Sequence, residues 1–361
     1  MLYREAGQFK ASYREDQQIF PIRQDKIAIA LILAFFYLVV PVIGDQYWLK
    51  AILVPVLIFS LAALGLNILT GYAGQLSLGT AAFMAAGAFG AFNFMLRMPD
   101  FPVFSEVKIL FAFIFGGLMA ALVGIVFGLP SLRIKGFYLA VATLAAQFFV
   151  VWALTKFSWF SNYSSSGVIS AQDVVLFGVP IDTPESRYLF VLVIVTVLAL
   201  LAKNMVRSAT GRAWMAVRDM DVAAEVIGIR LLHTKLLAFA VSSFYCGVAG
   251  ALYAFCYLGT VEPEGFNLDM SFRILFMIII GGVGSVLGSF LGAAFIVLLP
   301  IFLNVFFHAV FAGAVPAGLG SNLELMIFGG LIIFFLIVEP HGLARLWQIG
   351  KEKLRLWPFP H

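Results

Sequence analysis

Charge is what this sequence has least of. Asp, Glu, Lys and Arg make up 12 % of its 361 residues, about half the usual share of a soluble chain. Hydrophobic residues reach 62 %, Phe alone occurs 38 times, and the mean hydropathy is +1.01. So few charges cannot cover that much apolar surface in water, and lipid must be the solvent for most of the chain. Soluble enzymes, nucleic-acid readers and disordered tails are excluded together. Cysteine is nearly absent as well: Cys246 and Cys256 are the only two. On one helix they lie about 15 Å apart by rise, too far to bridge. Both are read as packing residues, which removes secreted disulfide scaffolds and thiolate metal sites.

Further absences narrow the function. All 19 Asp and Glu residues fall in loops, tails or at the ends of apolar runs. A proton-driven carrier usually keeps a carboxylate or histidine at membrane depth to hold the proton. Here the polar groups inside the runs are neutral: Asn67, Asn93, Thr143, Gln147 and Asn304. No G-x-x-x-x-G-K-[ST] loop occurs, and Gly282-Val283-Gly284 does not complete a G-x-G-x-x-G fingerprint. Metal-ligand spacings and nucleophile–base constellations are also lacking. The expectation is a chain that is no enzyme, with no catalytic residue, metal or cofactor of its own.

What is present is a series of apolar runs at 27–43, 51–69, 81–96, 108–128, 136–156, 188–202, 236–258, 274–307 and 323–338. Most suit a helix crossing a ~30 Å hydrocarbon layer; 188–202 is short and needs an extra turn at either end. The fold class expected is all-α, a polytopic transmembrane helix bundle. With 274–307 read as two short passes there are about ten spans; eight plus a re-entrant hairpin is the alternative. Three regions follow: a cytoplasmic N-terminal segment 1–26, a membrane domain 27–338 and a cytoplasmic tail 339–361. Under this topology 17 Lys and Arg lie in the inner segments, and six in the outer ones: Lys50, Arg97, Lys108, Lys156, Arg187 and Arg273. That is the positive-inside bias, and it puts both termini in the cytoplasm.

Small residues at four-residue spacing, Ala82, Ala86 and Gly90 and again Gly284, Gly288 and Gly292, form stripes on which helix backbones approach closely in lipid. Segment 65–80 is denser in breakers, with Gly65, Gly71, Gly74 and Gly79 among Asn67, Thr70, Gln75, Ser77 and Thr80. Backbone freed by glycines at membrane depth must line protein or a wet cavity. Asn67, Gly71, Gly74, Gln75 and Ser77 are therefore candidates for the substrate path; an ordinary turn at the inner face is the other reading. Gly71-Tyr-Ala-Gly74 and Gly281-Gly-Val-Gly284 look alike and fall near the same face.

The long inner loop 203–235 contains one amphipathic stretch, 213–227. Ala213, Ala216, Val217, Met220, Ala224 and Ile227 recur at three- and four-residue steps, predicting one helix with a single apolar stripe. Arg212, Arg218, Asp219, Asp221 and Glu225 avoid that stripe, and Gly228 stands where a helix stops. Small apolar residues with balanced charges suit docking on another protein better than lying on lipid; a plain connecting helix is the bland alternative.

Four blocks carry a resemblance to a known family. They are Gly65-Leu-Asn67-Ile-Leu-Thr-Gly71-Tyr-Ala-Gly74-Gln75-Leu-Ser77-Leu-Gly79, Leu129-Pro-Ser-Leu-Arg133-Ile-Lys135-Gly-Phe137-Tyr-Leu-Ala140, Gly211-Arg212-Ala-Trp214-Met-Ala216-Val-Arg218-Asp219-Met-Asp221-Val-Ala-Ala224-Glu225-Val-Ile-Gly228-Ile229, and Ile280-Gly-Gly-Val-Gly284-Ser-Val-Leu-Gly288. In this order, over roughly 27–345, they resemble bacterial branched-chain amino acid ABC permeases of the LivM subunit family. The tail beyond Gly342 carries no family motif. The resemblance implies a multi-pass subunit of a bacterial inner-membrane importer. A sister permease of the LivH type would complete the pore, two ATPase subunits would hold ATP and Mg, and a periplasmic binding protein would deliver the solute. It makes the loop around Gly211, Arg212, Ala216, Arg218, Asp219, Asp221, Ala224, Glu225 and Gly228 the ATPase-coupling loop. Related permeases carry urea, amides or other small polar solutes, so the cargo stays open at this point. A stand-alone transporter or channel and a membrane-embedded enzyme are disfavoured by the missing intramembrane carboxylates and catalytic groups.

Overall fold

The computed structural model describes residues 23–98, 105–131, 137–164, 168–171, 174–311 and 342–356, together with Ser12 and scattered positions in 323–337. Among these residues the chain is almost entirely helical. We number the helices α1 (23–43), α2 (Trp48–Tyr72), α3 (Thr80–Arg97), α4 (Lys108–Ser131), α5 (Phe137–Lys156) and α6 (Pro184–Arg207). There follow α7 (Ala209–Asp219), α8 (Asp221–Val226), α9 (Leu231–Leu258), α10 (Leu268–Gly281), α11 (Val286–Phe311) and α12 (Gly342–Leu356). Seven of them, α1, α2, α4, α5, α6, α9 and α11, are long and apolar enough to cross a membrane. The short run at 188–202 gains turns at both ends, as its length required. The pass expected at 323–338 lies largely outside the described residues, as do most of 1–26 and 132–136 of the second motif block.

The run at 274–307 does divide, and the break is at 282–285, between α10 and α11. Helix α10 has 14 residues, about 21 Å of rise. That is short of a full crossing, so the two parts are a short helix and a long one.

Local sequence explains the irregularities. In α1 and α2 the backbone widens into π-helical turns, Phe35–Val39 and Trp48–Leu53. Each lies just before a proline, Pro41 or Pro55, which offers no N–H to the carbonyl four residues back and crowds it. A third π turn, Tyr253–Leu258, ends α9 at Gly259. Between α5 and α6, strands β2 (Val175–Leu176) and β3 (Val179–Pro180) form a hairpin, and β1 (Ile169–Ser170) pairs antiparallel with β4 (Thr260–Val261), which follows α9. That strap fastens the loop before α6 to the loop after α9.

The core forms where α2, α3, α4 and α9 meet. Helix α3 carries neither Ile nor Val; it is built of Ala, Gly and Phe, and almost all of it is buried. It faces protein rather than lipid, so closeness matters there more than bulk. One close junction joins Gly87, Gly116 and Gly247. A Cβ on Gly87 would overlap the backbone of Gly247, and one on Gly116 would strike the Gly87 carbonyl. This is one position away from the expected stripe. Of that stripe Gly90 packs on Met119 and Gly116 of α4, Ala86 is half-buried, and Ala82 is buried at the end of α5's polar cluster. Of the second stripe, Gly288 and Gly292 lie where α11 meets Gly281 of α10, and added Cβ atoms there would meet the Gly281, Gly282 and Met277 carbonyls, whereas Gly284 lies in the break between the two helices and faces Gly71. Cys246 and Cys256 are both free and buried in the core. Asn304 departs from expectation. It is exposed near the end of α11, which extends beyond the helices that cover its first turns.

Candidate functional site

The two glycine-rich breaks come together. Helix α2 ends in a π turn, Ile68–Tyr72, and Gly71 lies directly on Gly284, so that a Cβ on Gly71 would overlap the Gly284 backbone N. Asn67 fastens this contact. Its amide nitrogen donates to the Ser285 carbonyl at 2.8 Å and to Ser289 Oγ at 2.9 Å. Its amide oxygen accepts from the Gly284 N–H at 2.8 Å. Asn67 is fully buried, and every one of these bonds reaches across more than two hundred residues of sequence. Gly74 and Gly284 both have positive φ, 69° and 79°, which a side chain would resist. The similarity between the two motifs thus reflects two chain breaks shaped to fit one another.

The segment between α6 and α9 closes on the same point. Arg218 of α7 donates from Nη1 to the Gly71 carbonyl at 2.9 Å, while its Nη2 pairs with Asp219 at 2.8 Å. Its aliphatic stem covers Gly74, where a Cβ would meet Arg218 Cγ at 2.7 Å. Trp214 anchors α7 from its other side: it is fully buried, and Nε1 donates to the Thr234 carbonyl at 3.1 Å. Three of the four motif blocks therefore converge on Gly71.

The single helix expected over 213–227 is a correction. Met220 is extended (φ −159°, ψ 97°) and divides α7 from α8. The stripe breaks with it. Trp214, Val217 and Ala224 face inward, whereas Met220 and Ile227 of the expected stripe are exposed. The physical reason is the competition from Trp214, whose large ring seeks burial on a face that the small-residue periodicity did not select. Asp221 begins α8 and pairs with Lys235 of α9 at 3.9 Å. Gly228, at φ 91°, ends the helix as its position indicated, with Ile229 N–H returning to the Ala224 carbonyl. Gly211 is buried against Val206, Ala216 is half-buried, and Arg212 and Glu225 are exposed. The large apolar residues that α8 and its two flanking residues present outward, beside the exposed Ala223 and Glu225, are Met220, Val222, Val226 and Ile227, between 64 % and 83 % exposed.

The substrate-path candidates separate. Asn67 is consumed by its own chain, and Ser77 Oγ accepts from the Gly79 N–H at 3.3 Å. Gln75 differs: its side chain is buried, and among the described residues neither amide atom has a hydrogen-bond partner; nor does Thr80 Oγ1 five residues on. Next to them lies a cluster that sequence reasoning saw only in part. Gln147 Oε1 accepts from the Ala82 N–H at 2.7 Å and from Ser271 Oγ at 3.2 Å, and Nε2 donates to the Phe266 carbonyl at 2.8 Å. Thr143 Oγ1 accepts from the Leu78 N–H at 2.9 Å, and Ser271 Oγ from the Ala81 N–H at 2.9 Å. The first N–H groups of α3, which lack partners within the helix, are met this way. Ser271 and Ser289 escaped notice because a lone serine in an apolar run carries no periodic signal. Gln147→Leu should strand the Ala82 N–H and the Phe266 carbonyl, at about 1–3 kcal/mol each. The apparent melting temperature of the detergent-solubilised chain is expected to fall by about 5 °C or more; an unchanged melting curve would refute the cluster's structural role.

Among the described residues no group of three or more His, Cys, Asp or Glu is placed to hold a metal ion.

A family model described as "Branched-chain amino acid transport system / permease component" matches residues 48–336. The high-affinity branched-chain amino acid transport system permease protein LivM of Escherichia coli K12 is 28 % identical over 310 residues, covering 80 % of this chain and 68 % of that protein. The probable LivM of Methanocaldococcus jannaschii is 23 % identical over 317 residues, covering 79 % and 90 %. The autoinducer 2 import system permease protein LsrC of an Enterobacter species is 28 % identical over 195 residues, 53 % of each chain. No solved structure matches. The matched region runs from the start of α2 into the last apolar run and contains all four motif blocks, and on that ground the chain belongs to the permease-component family of branched-chain amino acid transport systems.

Proposed function

We propose that this chain is one membrane-spanning subunit of a bacterial inner-membrane ABC importer for branched-chain amino acids. In this reading a sister permease forms the other half of the pore, two ATPase subunits supply the work, and a periplasmic binding protein delivers the solute. Both termini are cytoplasmic, as the 17 inner Lys and Arg against six outer ones suggest. The observation that carries the proposal is the Arg218–Gly71 hydrogen bond. It joins a loop outside the bundle to the point where the end of α2 meets the break between α10 and α11. The exposed apolar face of α8 is the surface offered to an ATPase, and α7 is the lever behind it. Closure of the ATPases displaces α8, Arg218 carries the displacement to Gly71, and Asn67 shares it with Gly284. Energy enters from outside the chain, which has no nucleotide motif to receive it directly. Gln75 and Thr80, buried with unmet hydrogen-bonding capacity beside this hinge, are the groups we assign to the solute path.

The cargo has a second reading. The likeness to an autoinducer 2 permease favours a small polar solute other than an amino acid as the alternative. Purification of the native complex, followed by identification of the solute held by its binding protein, separates the two. In proteoliposomes, leucine uptake is expected only with ATPases, sister permease and binding protein together. Flux through this polypeptide alone would overturn the importer reading.

A further inference from the structure

The tail helix α12 is not accounted for by the lever. Its sequence, GLARLWQIGKEKLRL, places Leu343, Leu346, Trp347, Gly350 and Leu354 at three- and four-residue steps on one apolar face, with the half-buried Ile349 outside it. Lys351 and Lys353 fall on either flank of that stripe, and Arg345, Gln348, Glu352 and Arg355 fall opposite it. Four bases thus accompany one acid.

The start of this helix is fixed. Gly342, at φ 67°, packs so closely on the break between α10 and α11 that a Cβ there would lie 2.6 Å from both Gly282 N and the Ile280 carbonyl. Leu343 packs on the core and Ala344 is buried. One turn later the protein stops covering the stripe, and Leu346 and Trp347 are 49 % and 53 % exposed. The helix therefore leaves the bundle where α11, a helix long enough to cross a membrane, begins, which is the level at which hydrocarbon gives way to headgroups.

We propose that α12 lies on the membrane surface as a strap that binds anionic lipid. Its Leu–Trp stripe enters the boundary between headgroups and acyl chains, and its bases pair with lipid phosphates. Bulky apolar residues, an indole that favours the interface, and lysines on both flanks that can extend to headgroups are what such a helix needs. Helix α8 offers the contrast: its exposed side chains include small aliphatics and one acid but no base, which suits a protein partner. Because Gly342 abuts Gly282, the strap also holds one side of the Gly71–Gly284 hinge. The proposal rests on the permease orientation above only for which leaflet is bound.

The test uses the full chain in nanodiscs of phosphatidylcholine with about one quarter phosphatidylglycerol, so both leaflets are anionic and orientation does not matter. Nitroxides are placed at Trp347→Cys and, separately, Gln348→Cys; the native thiols are buried. The expected result is that position 347 is reached by oxygen and shielded from a water-soluble nickel chelate, with the opposite at 348. Each charge near an anionic surface changes partitioning about fivefold. Discs of phosphatidylcholine alone, or the pair Lys351→Gln and Lys353→Gln, should therefore return 347 toward water. The proposal is overturned if 347 is as open to nickel as 348 in anionic discs, if both probes are excluded from it as at a protein contact, or if its depth is indifferent to lipid charge.

Discussion

Arg218→Glu is expected to leave the chain inserted and folded while breaking the link between ATP hydrolysis and uptake. The substitution removes the 2.9 Å bond to the Gly71 carbonyl and sets a carboxylate against that oxygen and against Asp219. Couplings between sites are typically worth 1–3 kcal/mol, so solute moved per ATP should fall on the order of tenfold or more. Arg218→Lys should be intermediate, since a single ammonium can meet the carbonyl but cannot also hold Asp219 in the same fork. Arg212 lies on the same short helix but is exposed and bonds only the Arg207 carbonyl behind it. Arg212→Gln should therefore keep the ratio near that of the unaltered protein. The measurement is uptake and ATPase rate in the same proteoliposomes. A retained ratio in Arg218→Glu would remove the lever.

Gly87→Leu should do more damage than any other single change named here, and at the level of folding. Where a side chain blocks an added methyl, a rotamer change relieves it; at Gly87 the obstacle is the backbone of Gly247. Overpacking of a yielding core costs about 1–3 kcal/mol, and this site cannot yield without separating α3 from α9. The expected outcome is loss of the monodisperse, heat-stable species in detergent, read by size-exclusion chromatography and thermal unfolding. Gly90→Ala is the graded comparison, because its nearest obstacle is the Met119 side chain at 3.1 Å, and it should cost far less. Equal behaviour of the two variants would contradict the junction.

Several of these features were legible in the sequence, and for identifiable reasons. Apolar runs declare helices because lipid forbids unpaired backbone, so the long spans could be read directly, and so could the need to divide 274–307. The glycines of 65–80 announced freed backbone near Gly71, but the position of the break at 282–285 was not legible, because Gly284 repeats with Gly288 and Gly292 at helical spacing. That the breaks touch was not legible: the contact depends on Asn67 meeting Ser285 and Ser289 more than two hundred residues away, and local periodicity carries nothing of that range. Asn67 was a candidate for the solute path with an ordinary turn as the other reading, and its side chain is bonded to Ser285, Ser289 and Gly284 of its own chain; composition alone cannot distinguish a polar group of one kind from the other. Gln75, given the same reading from the same segment, keeps its open hydrogen bonds. At 213–227 the small residues suggested one helix, and the requirement to bury Trp214 decided otherwise.

The extended residue at Met220 has a mechanical consequence. A continuous helix transmits twist as well as thrust along its axis, whereas one non-helical residue lets the piece beyond it swivel. A partner that rolls α8 while pressing on it would therefore pass pressure to Gly71 and dissipate the roll. Under the importer reading proposed above, the joint would act as a torque filter, and the permease would receive a push of fixed direction whatever angle its motor approached from.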